Sequence, residues 1–159
     1  MTGFDALYRE YAPHVFRFAL YLCGERSQAE DLTSETFVRA WTSPEPVRMA
    51  TVKGYLLTIT RNLHLQSLRR TRGQVALPED LPEPRAGPDV EAERGSELDA
   101  AIADLQRLPE GERTALLMRA VEDLSYEEIS RALGISLAAA KVRIHRARVA
   151  LARMREART

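Results

Sequence analysis

Between Gly73 and Gly95 the chain reads GQVALPEDLPEPRAGPDVEAERG, and no other stretch limits the fold as much. Proline lacks a backbone N–H and clashes with the preceding helical turn, so Pro78, Pro82, Pro84 and Pro88 forbid a continuous helix here. The acidic residues among them oppose collapse onto a core. This stretch therefore predicts an acidic, Pro-rich linker over 73–95, with a domain on either side at 1–72 and 96–159. A solvated loop inside one domain is the alternative.

Both flanks carry helical periodicity, and the expected fold class is all-α, two small helical domains. In the first, an apolar-rich helix runs from Phe4 to about Leu22, adjusted at Pro13 and ended by Gly24. Ser27-Gln28-Ala29-Glu30 reads as a capping box for the next helix. That helix places Ala29, Leu32, Phe37, Ala40 and Trp41 on or near one face, and Asp31, Glu35, Val38 and Thr42 on another. Pro44 and Pro46 end it. A third helix over about 51–72 should bury Val52, Leu56, Ile59 and Leu63, and its end carries Arg61, Arg69, Arg70 and Arg72 with no acid among them.

Hydrophobic residues make up 45% of the 159, enough for a core, while scarce aromatics and plentiful Ala, Leu, Arg and Glu favour helices. Formal net charge is zero, but it is strongly partitioned. Residues 1–75 hold 10 basic and 7 acidic side chains (+3), residues 76–112 hold 3 and 11 (−8), and residues 113–159 hold 10 and 5 (+5). Binding responds to local potential, so the two basic ends matter more than the neutral total. The single cysteine, Cys23, excludes an intramolecular disulfide and a thiolate cluster. With no basic-then-apolar leader and no long apolar run, the expectation is a cytoplasmic protein without membrane insertion.

The second domain ends on a helix-turn-helix pattern. Leu98, Ile102 and Leu105 form a first stripe, broken at Pro109, and a second helix carries Ala115, Leu116 and Met118 to Val121. Ser125-Tyr126-Glu127-Glu128 is another capping box, opening a short helix with Tyr126, Ile129 and Leu133 inward. Gly134 supplies the turn, Ser136 caps again, and a longer basic helix begins at Leu137. At 100° per residue, Ala140, Ile144, Ala147, Leu151 and Met154 gather on the core side. Ala138, Lys141, Val142, His145, Arg146 and Val149 lie broadly opposite, with small residues permitting close approach to a DNA groove. The bland alternative is a basic, solvated helix capping a bundle.

These segments resemble the extracytoplasmic-function sigma factors, the small promoter-recognition subunits of bacterial RNA polymerase. AEDLTSETFVRAW at 29–41 is similar to the family's polymerase-docking helix, RNLHLQSLRR at 61–70 to its promoter-melting helix, and LSYEEISRALGIS with KVRIHRAR to its upstream-element reader. The resemblance implies polymerase docking by Asp31, Glu35 and Phe37, although Phe37 projects toward the buried side, which suits a core role equally. It implies contacts of Arg61, Asn62, Arg69 and Arg70 with the downstream promoter element. The upstream element would meet Ala138, Lys141, Val142, Arg143, His145 and Arg146. Arg143 projects near the core edge, which suits a phosphate or structural role better than base reading. The implied partners are core RNA polymerase, promoter DNA and an anti-sigma factor. The sequence departs from the family pattern at Ser34, Tyr55, Gln66, Ala139, Ala140 and Val142.

Catalysis finds no support in the residues. His14, His64 and His145 lack metal-ligand spacing, and no phosphate-cradling glycine loop or nucleophile elbow occurs, so neither a cofactor nor a metal is expected. A conventional helix-turn-helix regulator or a helical adaptor that binds only protein are the competing functions. The first would need a sensor domain with alternating strands, for which the first domain has no pattern.

Overall fold

The structure, a computed structural model, describes residues 3–43, 51–73 and 89–158. Among these every regular element is helical. The elements are α1 (Gly3–Cys23), α2 (Arg26–Thr42), α3 (Val52–Gly73), α4 (Asp89–Gln106), α5 (Glu110–Leu116), α6 (Tyr126–Leu133) and α7 (Leu137–Arg158). Leu117–Val121 continue α5 as a π-helical turn. Residues 74–88, with the four linker prolines, lie outside the described residues, as do Pro44 and Pro46. Helix α4 begins at Asp89 and is interrupted by the non-helical backbone of Gly95, so helix reaches into the C-terminal end of the expected linker.

Helices α1, α2 and α3 form the first domain. Helix α1 runs through Pro13 and ends at Gly24, whose φ of 80° is the left-handed conformation that glycine adopts without steric cost. The Ser27 capping box does not form: Glu25 is the N-cap of α2, without a side-chain cap bond, and Ser27 lies within the helix. The buried face of α2 comprises Ala29, Leu32, Thr33, Thr36 and Phe37, whereas Trp41 is 63% exposed. The threonines can be buried because Thr33 Oγ1 donates to the Ala29 carbonyl and Thr36 Oγ1 to that of Leu32. Thr36 also meets Thr60 Oγ1 of α3 at 2.8 Å. On α3, Leu56, Leu57 and Leu63 are buried, while Val52 and Ile59 are partly so.

Helices α4 to α7 form the second domain, and one apolar cluster runs through both. It joins Val15, Phe18, Leu22, Phe37, Leu56 and Leu57 to Leu105, Leu108, Leu117, Met118, Ile129 and Ile144. Arg113, 9% exposed, sits where the domains meet. Its Nε donates to the Leu105 carbonyl at 2.9 Å and its Nη1 to that of Leu22 at 2.7 Å. Its Nη2 reaches Leu108 O at 2.9 Å and Gln106 O at 3.4 Å. Gln106 Nε2 donates to the neighbouring Tyr21 carbonyl at 2.8 Å. One planar guanidinium thus gathers the Leu22 carbonyl at the end of α1, those of Leu105 and Gln106 at the end of α4 and that of Leu108 just beyond it, where helices leave their last C=O groups short of partners.

Arg113→Met keeps the bulk but strands these buried acceptors. It should cost about 3–5 kcal/mol in urea unfolding of the full chain, and a loss within error would rule out this role. His64 supplies a pH test. It is 2% exposed, and neither ring nitrogen has a hydrogen-bond partner among the described residues. Burial, reinforced by the positive Arg113, lowers its pKa from the ordinary 6.5. Below 6.5 the unfolded chain takes up the proton more readily, so stability is present above that pH and is lost as pH falls toward the folded value. His64→Leu should flatten the melting temperature between neutral and mildly acidic pH, and equal slopes for the two proteins would reject the argument.

Candidate promoter and polymerase interfaces

The helix-turn-helix is built as its caps and turn require. Ser125 Oγ accepts from Glu128 N at 3.1 Å, and Ser136 Oγ accepts from Ala139 N at 3.0 Å. Gly134, at φ 67°, is the left-handed C-cap of α6. The expected reciprocal half of the first box is absent, because the Glu128 carboxylate turns instead to the first domain. There Oε2 accepts from Thr51 N at 3.1 Å and from Thr51 Oγ1 at 2.6 Å. Upstream, the π-helical turn ends at Glu122, and Asp123 takes φ 61° so that Leu124 N can return to the Met118 carbonyl.

On α7 the two expected faces separate. Ala140, Ile144 and Ala147 are buried, and Leu151 and Met154 are partly so. Ala138, Lys141, Val142, His145 and Arg146 are all exposed, forming a basic strip with an apolar spot at Val142. Arg143 is half-buried and lies against Gly111, where a Cβ would come within 2.5 Å of its Nη1. That packing favours a structural role for its guanidinium, which holds α7 on α5. Lys141 Nζ stands 5.4 Å from the centre of the Tyr126 ring, and the Arg119 guanidinium stands 4.5 Å from it. Tyr126 thereby orients one cation of the strip, a contact the inward assignment of that ring did not anticipate.

The second basic group lies along α3. Asn62, Arg69 and Arg70 are exposed, and helical geometry places Asn62, Gln66 and Arg69 on one face. Arg61 is set apart from them. Its side chain is only 13% exposed, and its Nε and Nη2 donate to the two carboxylate oxygens of Glu110 at 2.9 and 3.0 Å. Thr114 Oγ1 also donates to Glu110, at 2.7 Å. Burial pushes the Glu110 pKa up, but these hydrogen bonds and the Arg61 charge outweigh it and leave it lowered. Nothing local in the sequence pairs residues 61 and 110, because the contact forms only when the domains pack.

The third surface is on α2. Asp31 and Glu35 are exposed one turn apart, and Glu35 lies 3.9 Å from Arg39. Val38, 57% exposed, extends the acidic face, and Trp41 lies beyond it with its ring 4.2 Å from that of Phe4. Phe37 does not join this surface. It is 2% exposed and packs edge-on against Phe4 and Tyr8, so the structure puts it in the core beneath the acidic pair. The three expected surfaces are therefore separate, each on its own helix.

Among the described residues no group of His, Cys, Asp and Glu could hold a metal ion, and no helix is long and apolar enough to cross a membrane. Residues 7–74 match the Sigma-70 region 2 family, and residues 99–151 match the Sigma-70, region 4 family. The chain is 41% identical over 157 residues to the ECF RNA polymerase sigma factor SigE of Mycolicibacterium smegmatis, a match covering 93% of this chain and 60% of that protein. It is 30% identical to SigM of Bacillus subtilis, covering 91% of this chain and 90% of that one. It is 34% identical to SigL of Mycobacterium tuberculosis, covering 88% and 81%. A similar fold, with TM-score 0.81, 23% identity and 98% coverage of both chains, occurs in the sigma factor RpoE of Bartonella quintana, solved in complex with the anti-sigma factor NepR. CnrH, in complex with the cytosolic domain of CnrY, aligns with TM-score 0.69 at 22% identity over 98% of this chain and 89% of that one. Matches to regions 2 and 4 in the order of the two helical domains, together with relatives aligned over most of their length, place this chain in the family of ECF RNA polymerase sigma factors.

Proposed function

We propose that the chain binds core RNA polymerase and directs it to specific promoters in the cytoplasm, its first domain docking on polymerase and assisting DNA opening while its second reads the upstream element. The observation that carries this reading is the α7 strip of Ala138, Lys141, Val142, His145 and Arg146. It is exposed on a capped helix-turn-helix whose opposite face is buried in the core. A basic helix with small residues at its start suits a major groove, where cations meet phosphates and guanine edges. Asn62, Arg69 and Arg70 supply the first domain's contact with the downstream element, and Arg61 joins them when uncovered. Asp31 and Glu35 form the docking surface, with Val38 beside them and Phe37 supporting α2 from behind. An anti-sigma factor is proposed as a further partner because RpoE, of like fold, was solved with one.

Asp31→Lys combined with Glu35→Lys should weaken binding to core polymerase at least about tenfold, as expected for reversed charges at a complementary surface, with the helical circular dichroism unchanged. Normal affinity in a folded double variant would remove this face from the interface. For the α7 strip, Arg146→Ala should cost about 1–3 kcal/mol on the preferred upstream element and flatten discrimination at one or two base pairs. Arg153→Ala, exposed farther along α7, should weaken all sequences alike and reduce the salt slope by about one. Selection from a randomised duplex pool by the polymerase-bound protein at two salt concentrations separates the cases. A uniform loss for Arg146→Ala would make that residue an electrostatic anchor only.

A further inference from the structure

Three carboxylates of the second domain reach across to the first. Glu110 holds Arg61 through both its oxygens. Glu128 accepts from the backbone and side chain of Thr51 at the start of α3. Glu122, only 1% exposed, gathers Arg17, Lys53 and His14 of the first domain. Arg17 Nε reaches Oε2 at 3.0 Å and Arg17 Nη2 reaches Oε1 at 3.1 Å, while Lys53 Nζ lies 3.8 Å and His14 Nδ1 3.2 Å from Oε1. His14 Nδ1 is also 3.0 Å from Arg17 Nη2, so it donates to the carboxylate when protonated and accepts from the arginine when bare. The contacts are one-sided in charge: second-domain acids meet first-domain cations and donors.

We infer that these carboxylates act as an intramolecular anion mimic, with Glu110 occupying the place on Arg61 that a promoter phosphate takes, so that the packed form keeps part of the first domain's nucleic-acid surface shut. Arginine recognises carboxylate and phosphate through the same bidentate fork, which makes the two anions direct competitors. Buried ion pairs are close to break-even once desolvation is counted, so an external polyanion can replace Glu110 on Arg61 at small electrostatic cost, and the apolar cluster running through both domains sets the rest of the cost of parting them. The device is selective. It covers Arg61 but leaves the α7 strip exposed, as Lys141, His145 and Arg146 all face solvent. Upstream-element binding therefore stays available in the packed form, while contacts through Arg61 wait for the domains to part. The inference rests on the proposed DNA role of Arg61 and adds the group that controls it.

The test uses the full chain and a short fluorescent single-stranded oligonucleotide of mixed sequence. Glu110→Gln combined with Glu122→Gln should enlarge the radius of gyration in solution scattering and raise oligonucleotide affinity about tenfold, as expected when a scarce binding-competent form becomes the major one. Glu110→Gln alone leaves the Glu122 cluster intact and, if the double variant loses its helical circular dichroism, carries the test by raising affinity several-fold. Unchanged dimensions and unchanged affinity in folded variants would overturn the latch. Adding Arg61→Ala to the open variant separates the two ideas. Loss of the gained affinity supports both, whereas expansion with the gain retained overturns the anion mimicry at Arg61 together with its DNA role and leaves the carboxylates as a purely structural clasp.

Discussion

Packing one basic helical domain against another that is acidic along its first half requires every buried charge at the junction to find a partner. Arg113 shows how strict that requirement is. Among the described residues it forms no ion pair, and its guanidinium donates to the carbonyls of Leu22, Leu105, Gln106 and Leu108. Without it the carbonyl of the fully buried Leu22 would lose a donor that water does not replace. The same requirement governs Glu122, Glu128 and Glu110, each of which is answered from the first domain. The apolar cluster running through both domains supplies cohesion, and the polar network decides the register in which they meet.

This junction gives the domains unequal access to their partners. Helix α7 faces away from it, so its basic strip is presented whether or not the domains part. Helix α3 packs against α6, and the first residue of its basic end is drawn into the junction while Asn62, Arg69 and Arg70 stay outside. The acidic face of α2 is likewise outside, on the far side of the helix from Phe37. In the roles proposed above, the docking helix α2 and the reading helix α7 are therefore both presented in this form. Part of α3, the proposed melting helix, is held by the Arg61–Glu110 pair.

Some of this was legible residue by residue. The core and exposed faces of α7 followed from 100° periodicity, since a helix packed on one side has a single way to bury Ala140, Ile144 and Ala147. The turn at Gly134 and the caps at Ser125 and Ser136 followed from local chemistry. Two local signals misled. Ser27 had the spacing of a capping box but lies one residue inside α2, because Glu25 directly follows the Gly24 turn and already supplies the carbonyl that accepts from Ala29 N. Glu128 had the right residue for the other box, yet its carboxylate found stronger donors in Thr51. Helical projection puts Trp41 on or near the apolar face of α2, yet it is 63% exposed, whereas Thr33 and Thr36, polar by type, take buried positions because their hydroxyls return to their own helix.

What the sequence determined by itself was set by neighbours within about two helical turns: the helical class, the turn at Gly134 with its flanking caps, the core face of α7, and the partition of charge. Resemblance added the roles proposed for the exposed faces. The tertiary structure alone decided which charges are spent inside the molecule. Arg61 and Asn62 are adjacent, equally polar and indistinguishable by local pattern, yet one is clamped by a carboxylate from a distant helix and the other is exposed. The physical reason is that an ion pair between residues far apart in sequence depends on how two preformed surfaces dock, and docking is set by the sum of many weak contacts.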